Sequence, residues 1–366
     1  MSQKKHFLVL DGLRGVAALI VVWFHIFEAF ANSHHDYVIN HGYLAVDFFF
    51  ILSGFVIAYS YDDRWKNMGT WEFAKRRLIR LQPMVVLGAL MGSLLFYTQH
   101  WAASPVGDVA LPVLLVATLL SALMIPLPIS ADIRGYGEMY PVNGPAWSLL
   151  FEYIGNFLYA VLLRRLSTLA LGIWVALCGL GLATYAIFGP LGDICVGFSM
   201  TEMEFLGGLL RVLFSFAAGL LLFRVFRPLA WKRTFLCTSV VLTALLFVPR
   251  LGGESQLWLN GGYESFCVLI LFPLLVWLGA SGEVKGGFST SFCKWLGAIS
   301  FPLYIIHYPF IYTYLAWVKN HELSFVDSLP GALGLFFGVI LLASASVKFY
   351  DLPVRNWLNK RFTNRQ

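Results

Sequence analysis

Apolar runs and short polar breaks alternate along the chain from Leu8 to Tyr350. A bilayer-spanning helix needs about 20 mostly apolar residues. Windows of that kind predict helices at roughly 8 to 30, 42 to 60, 83 to 99, 109 to 127, 145 to 164, 168 to 188, 205 to 223, 234 to 249, 263 to 281, 294 to 318 and 329 to 350. The connections sort by charge. Lys and Arg gather at the N-terminus (Lys4, Lys5), across 61 to 82, at Arg164 and Arg165, across 224 to 233, at Lys285 and Lys294, and in the tail. The connections at 31 to 41, 190 to 203, 251 to 262 and 320 to 328 hold neither. Basic loops stay cytoplasmic, so the first set is expected inside and the second outside.

The alternation holds except between Pro83 and Leu127, where two apolar segments must make an odd number of crossings to keep Arg164 inside. One of them is therefore expected to be re-entrant or interfacial. The expected fold class is all-α, a polytopic integral membrane helix bundle of about ten transmembrane helices with both termini cytoplasmic. A single transmembrane domain over residues 1 to 366 is expected, with no soluble appended domain.

Composition agrees with a bilayer as solvent: 58% of the 366 residues are hydrophobic, 13% are charged and the mean hydropathy is +0.72, which excludes an ordinary soluble domain. The formal net charge of +6 is dispersed among loops, the pattern of membrane anchoring to lipid and not of nucleic-acid binding. The five cysteines form no C-x-x-C pair and stand beside no histidine cluster, so neither a disulfide framework nor a metal site is indicated. The start leads into a stretch carrying Asp11 and Arg14 with no small-residue cleavage site, and reads as a retained first helix.

A charge at mid-membrane costs about 2.5 to 3.5 kcal/mol on insertion scales, so ionisable residues inside apolar segments are functional candidates. Arg14 and His25 are eleven residues apart, about three turns and about 16 Å, and so share one face of the first helix, with Asp11 one turn before Arg14. That suits a ligand lying along the membrane normal, its anionic end near Arg14 and its reactive end near His25; the duller reading is a snorkelling arginine and a packed histidine. Asp47 needs a partner, for which Arg14 or His25 is the simplest choice, and a structural salt bridge competes with catalysis. Arg211 reads as a partner for one of the acids.

The run from Lys75 to Pro83 reads as an interfacial basic helix ended by proline. Arg77 and Arg80 share a face with guanidinium forks suited to phosphate, as does neighbouring Arg76, although anchoring to anionic lipid explains the run almost equally well. Trp147, Ser148 and Glu152 open the fifth segment, and Ser148 and Glu152 are four apart on one face, expected toward the outside, where His25 points. Ser300, Tyr304 and His307 form a polar face on the tenth.

Taken in order, Arg14 with ten residues before His25, Asp47-Phe48-Phe49-Phe50-Ile51-Leu52-Ser53-Gly54, Arg76-Arg77-x-x-Arg80-x-x-Pro83, Trp147-Ser148-Leu149-x-x-Glu152 and Ser300-x-x-x-Tyr304-x-x-His307-x-Pro309 resemble the acyltransferase family 3 of membrane O-acyltransferases over nearly the whole chain. The resemblance implies a ten-helix domain that takes an acyl group, commonly acetyl, from acyl-coenzyme A and delivers it to a carbohydrate outside the inner membrane. It makes the Arg14 and His25 positions essential and gives the Arg77 and Arg80 positions a part in donor handling. Two departures stand out. The family's late Glu-Arg-Pro signature is here Tyr350-Asp351-Leu352-Pro353, and the extracytoplasmic esterase-like domain of some members is expected to be absent, its activity left to a separate partner protein or not needed.

The mechanism expected from these residues has His25, oriented by Asp47 or Glu152, as general base on an acceptor hydroxyl. Arg14, Arg76, Arg77 and Arg80 hold the donor, and Asp11, Trp147, Ser148, Ser300, Tyr304 and His307 line the substrate path, with Ser148, Tyr304 and Trp147 as oxyanion donors. The rival reading is a proton-coupled transporter using Asp47, Glu152, Arg14 and His25 as its relay, against which stands the lack of an internal repeat.

Overall fold

The structure, a computed structural model, describes residues 6–31, 36–99, 109–229, 231, 233–253 and 255–363. Lys4, Lys5, Lys232 and part of the 31 to 41 loop lie outside the described residues. All regular structure among the described residues is helical, and each predicted apolar segment holds a helix: α1 (Leu8–Phe27), α2 (Ala45–Tyr61), α3 (Thr70–Thr98), α4 (Leu111–Ala122), α5 (Ala146–Val161), α6 (Thr168–Phe188), α7 (Glu202–Val225) and α8 (Thr234–Phe247). There follow α9 (Leu257–Phe266) and α10 (Phe272–Ser281), joined by a π-helical turn, then α11 (Gly287–Asn320), α12 (Phe325–Ser346) and α13 (Leu352–Phe362), the last two also joined by a π-helical turn. Hydroxyl side chains start several of them: Ser167, Thr201 and Ser324 accept the backbone N–H groups of Ala170, Glu204 and Asp327 at 3.1, 3.3 and 3.2 Å.

Among the described residues, eight helical stretches are long and apolar enough to cross a membrane. Their lipid-facing sides carry bare hydrocarbon, as at Leu169, Ile173, Leu177 and Leu180 of α6 and Phe337 and Leu341 of α12. The chain is a multi-pass membrane protein. The twelve-residue α4 is about 18 Å long, short of a hydrocarbon core of about 30 Å.

Pro83 does not end its helix as expected, because α3 runs unbroken through it from the basic stretch into the apolar one. Pro302 and Pro309 likewise sit inside α11. Away from water, leaving the helix would strand more backbone groups than the one hydrogen bond a proline forfeits, so the helix continues.

Two contacts frame the interior. α1 packs lengthwise on α11, and α2 crosses α7 with their backbones touching at Gly54 and Gly219. A Cβ on Gly54 would overlap the Phe216 carbonyl, and one on Gly219 the Ile51 carbonyl. Small residues permit this approach where no hydrophobic force draws helices together. Around the α1 and α11 pair, α2, α3 and α5 leave two cavities.

Candidate active site

The first cavity, about 320 Å³, is an arginine cavity. α1 contributes Asp11 and Arg14, α3 Arg77 and Arg80, α2 Ser53, α5 Ser148 and Glu152, and α11 Ser300 and Tyr304. Arg14 donates from Nε to Ser300 Oγ (2.9 Å) and from a terminal nitrogen to the Gly297 carbonyl (3.0 Å), with Asp11 at 3.4 Å. Arg77 pairs with Glu152 at 3.0 Å, and Glu152 also accepts from Ser53 at 2.8 Å. The Nε of Arg77 is buried without a protein partner. Arg80 faces Asp351 at 3.7 Å. The π-helical turn before α13 carries Asp351, which is buried and also bonded to Arg355 at 2.9 Å.

The second cavity, about 410 Å³, is a histidine cavity. His25 and Glu28 come from the end of α1 and the turn after it, Trp147 from α5, and Tyr304, Tyr308 and Tyr312 from α11, with Glu138 from the loop before α5. His25 Nδ1 lies 2.8 Å from Glu28 Oε2. A carboxylate only accepts, so a neutral His25 donates from Nδ1 and leaves Nε2 bare, the arrangement of a general base held by its orienting acid. His25 rests edge-on against Tyr308 (4.6 Å between ring centres) and beside His307 (5.3 Å). His307 is buried, its Nδ1 donates to the Leu303 carbonyl at 3.1 Å, and its Nε2 has no protein partner.

The two cavities share two lining residues, Val46 and Tyr304. The Tyr304 hydroxyl lies 2.8 Å from Ser148 Oγ, which itself donates to the Pro145 carbonyl at 3.0 Å. Arg14 and His25, on one face of α1, therefore open into different cavities on either side of the Tyr304 side chain.

Several sequence expectations are corrected by this arrangement. Asp47 does not reach Arg14 or His25; it forms a fully buried pair with Arg211, at 2.7 Å in its shortest contact, while Arg211 also donates to the carbonyls of Val196 and Tyr43. The crossing of α2 on α7 brings these two together. Glu152 does not face outward with His25. It lies one turn beyond Ser148, about 6 Å further along α5, in the arginine cavity. Arg76 turns away to Glu72 at 2.9 Å and lines neither cavity. His307 also lines neither.

The carboxylate that orients His25, Glu28, was missed. It follows three residues after His25, a spacing that puts it on the same face, but it stands at the helix end where a glutamate attracts no notice. Glu138 was missed because nothing in a loop sequence marks a side chain that turns inward. Among the described residues, no group of three or more His, Cys, Asp or Glu side chains is arranged to hold a metal ion.

Residues 7–347 match the family model described as an acyltransferase domain. Protein 2 in the picA locus of Rhizobium radiobacter is 34% identical over 43% of this chain and 83% of its own length. The acyltransferase MdmB of Streptomyces mycarofaciens is 26% identical over 92% of this chain and 87% of its own. The O-acetyltransferase OatA of Staphylococcus aureus is 24% identical over 94% of this chain but 57% of its own length, so the chain spans little more than half of that relative. No solved structure matches. A match running through α1, α3, α5 and α11, the helices that build both cavities, makes this chain a membrane O-acyltransferase of the acyltransferase family 3.

Proposed function

We propose that the enzyme takes an acyl group, acetyl in the simplest case, from acyl-coenzyme A in the arginine cavity and passes it to a hydroxyl of a carbohydrate in the histidine cavity. In this reading the arginine cavity faces the cytoplasm of a bacterial inner membrane and the histidine cavity faces outward, an orientation supported by the clustering of Lys and Arg in alternate loops. The observation that carries the reading is the stacking of the two cavities along α1, with Val46 and Tyr304 as their common wall. Arg14, Arg77 and Arg80 suit the phosphates and polar arm of the donor. The cavity is near the lower end of the range for drug-sized ligands, so it takes the thioester arm and leaves the bulky nucleotide outside. The names of MdmB and OatA support acyl transfer and acetyl respectively.

In this mechanism His25 Nε2 removes the acceptor hydroxyl proton while Glu28 stabilises the imidazolium that results. The alkoxide oxygen attacks the thioester carbonyl at the junction of the cavities. Tyr304 and Ser148 are the nearest hydroxyl donors for the oxyanion; the carbon–sulfur bond then breaks to release the coenzyme thiolate, which takes a proton from water, and the His25 imidazolium returns its proton to water. An acyl-enzyme on Ser148 has less support, since its Oγ is bonded to Tyr304 and a backbone carbonyl and to no histidine.

The test is thiol release from acetyl-coenzyme A by detergent-purified protein, wild type and His25→Ala, with and without a membrane glycan extract. Release that requires both the extract and His25 is the expected result. Folded wild-type protein that releases no thiol from any of several acyl-coenzyme A donors would overturn the reading.

A further inference from the structure

The histidine cavity holds a second carboxyl that the proposed chemistry does not use. Glu138 is buried, lines the same cavity as His25 and Glu28, and accepts the Tyr312 hydroxyl on Oε2. Its other oxygen, Oε1, has no hydrogen-bond partner among the described residues.

The loop that delivers it is built for that position. The Asp132 carboxylate accepts three backbone N–H groups of the loop, from Arg134 at 2.9 Å, Gly137 at 2.7 Å and Glu138 itself at 3.3 Å. The Arg134 guanidinium lies 3.5 Å from the centre of the Tyr312 ring and donates to the Pro141 carbonyl. Gly144 leaves room for the carboxyl, because a Cβ there would stand 2.7 Å from Glu138 Oε1. A rigid loop that aims an incompletely bonded carboxyl into a cavity calls for a ligand group to complete it.

The charges of the cavity narrow the ligand. Of the two cations that line it, Arg211 has every nitrogen engaged by Asp47, Val196 and Tyr43, and Lys319 is exposed at the far end of α11. An anionic group at His25 would meet the Glu28 carboxylate, whose Oε2 lies 2.8 Å from His25 Nδ1. Burial holds the Glu138 carboxyl up at about 8. With Oε2 occupied by Tyr312, the proton it keeps at neutral pH sits on Oε1 and can be donated to a ligand oxygen. Tyr37, Tyr136, Trp147 and Tyr308 supply aromatic surface for the C–H face of a ring.

Resting on the acyl-transfer reading, we infer that Glu138 is an acceptor-binding residue that holds an uncharged, hydroxyl-bearing sugar ring against His25, beside a Glu28 carboxylate that disfavours anionic sugars. Wild-type enzyme assayed with acetyl-coenzyme A is expected to use a neutral oligosaccharide at least ~10-fold better, in kcat/KM, than its uronic acid counterpart. Glu138→Ala is expected to raise the KM for the neutral acceptor ~10-fold while kcat falls less than ~3-fold, and Glu138→Gln, whose amide also donates, to restore most of the loss. Protection of each variant by acyl-coenzyme A against thermal unfolding shows that it is folded. Equal use of the uronic acid, or an unchanged acceptor KM in folded Glu138→Ala, would overturn the inference. Absence of thiol release by the wild type with any donor would instead sink the acyl-transfer reading beneath it.

Discussion

His25 and Glu28 pair within one turn of chain, 2.8 Å apart and both largely buried, and in the proposed mechanism they are the base and its orienting acid. Loss of the acid leaves the imidazole free to rotate and to take the wrong tautomer. Glu28→Gln should therefore lower kcat by ~10²-fold with acyl-coenzyme A affinity unchanged, measured by single-turnover thiol release against donor binding. Glu138 carries a second residue-scale prediction. Its carboxyl titrates at about 8 in the fold against its ordinary value of 4.5, raised by burial. The folded protein thus binds more protons than the unfolded chain between those values, so this residue's contribution to stability is full below about pH 4.5 and is lost as pH rises through about 8. Glu138→Gln, uncharged throughout, should gain in thermal midpoint relative to wild type from pH 5 to 8 and then level off; a difference independent of pH would contradict this. At this scale the sequence revealed which residues carry charge inside apolar segments but not whom they touch. Asp47 met Arg211, 164 positions away, because pairing across helices depends on a crossing that no local pattern records.

Helices were legible because the hydrocarbon core demands them and their apolar lengths are written along the chain. What periodicity could not reveal is continuity, since a proline reads as a break in water and is tolerated in α3 and α11 where nothing else could satisfy the backbone. The crossing of α2 and α7 shows how an element-scale contact fixes a residue-scale one. Gly54 and Gly219 bring the backbones together, and about two turns back along each helix Asp47 and Arg211 close a pair with neither side chain exposed. Removing only the acid strands a buried guanidinium, so Asp47→Ala should cost about 3 to 5 kcal/mol, read as a fall in the thermal midpoint in detergent. Replacing both partners with apolar residues, as in Asp47→Leu with Arg211→Met, should recover most of that loss, whereas a role for Asp47 in the chemistry would leave the double variant stable but inactive.

At the scale of the whole molecule, the two cavities are separate volumes, both lined by α1, α2, α5 and α11, and only Val46 and Tyr304 belong to both. On the proposed reading, an acyl group has to pass these two side chains. Val46→Trp should block that passage, lowering acyl transfer by ~100-fold while acyl-coenzyme A still protects the protein from unfolding; undiminished transfer would mean that the group travels another way. The sequence placed Arg14 and His25 on one face but could not show a side chain from α11 standing between them.

That intervening tyrosine has a consequence for the cell. On the proposed topology, with one opening toward each side of the bilayer, the protein is in outline a pore, and a pore drains the ion gradient that powers the membrane. Tyr304, anchored to Ser148 and backed by Val46, keeps the two openings from joining into a wet conduit. On that topology, many copies can sit in an energised membrane at no cost to its voltage.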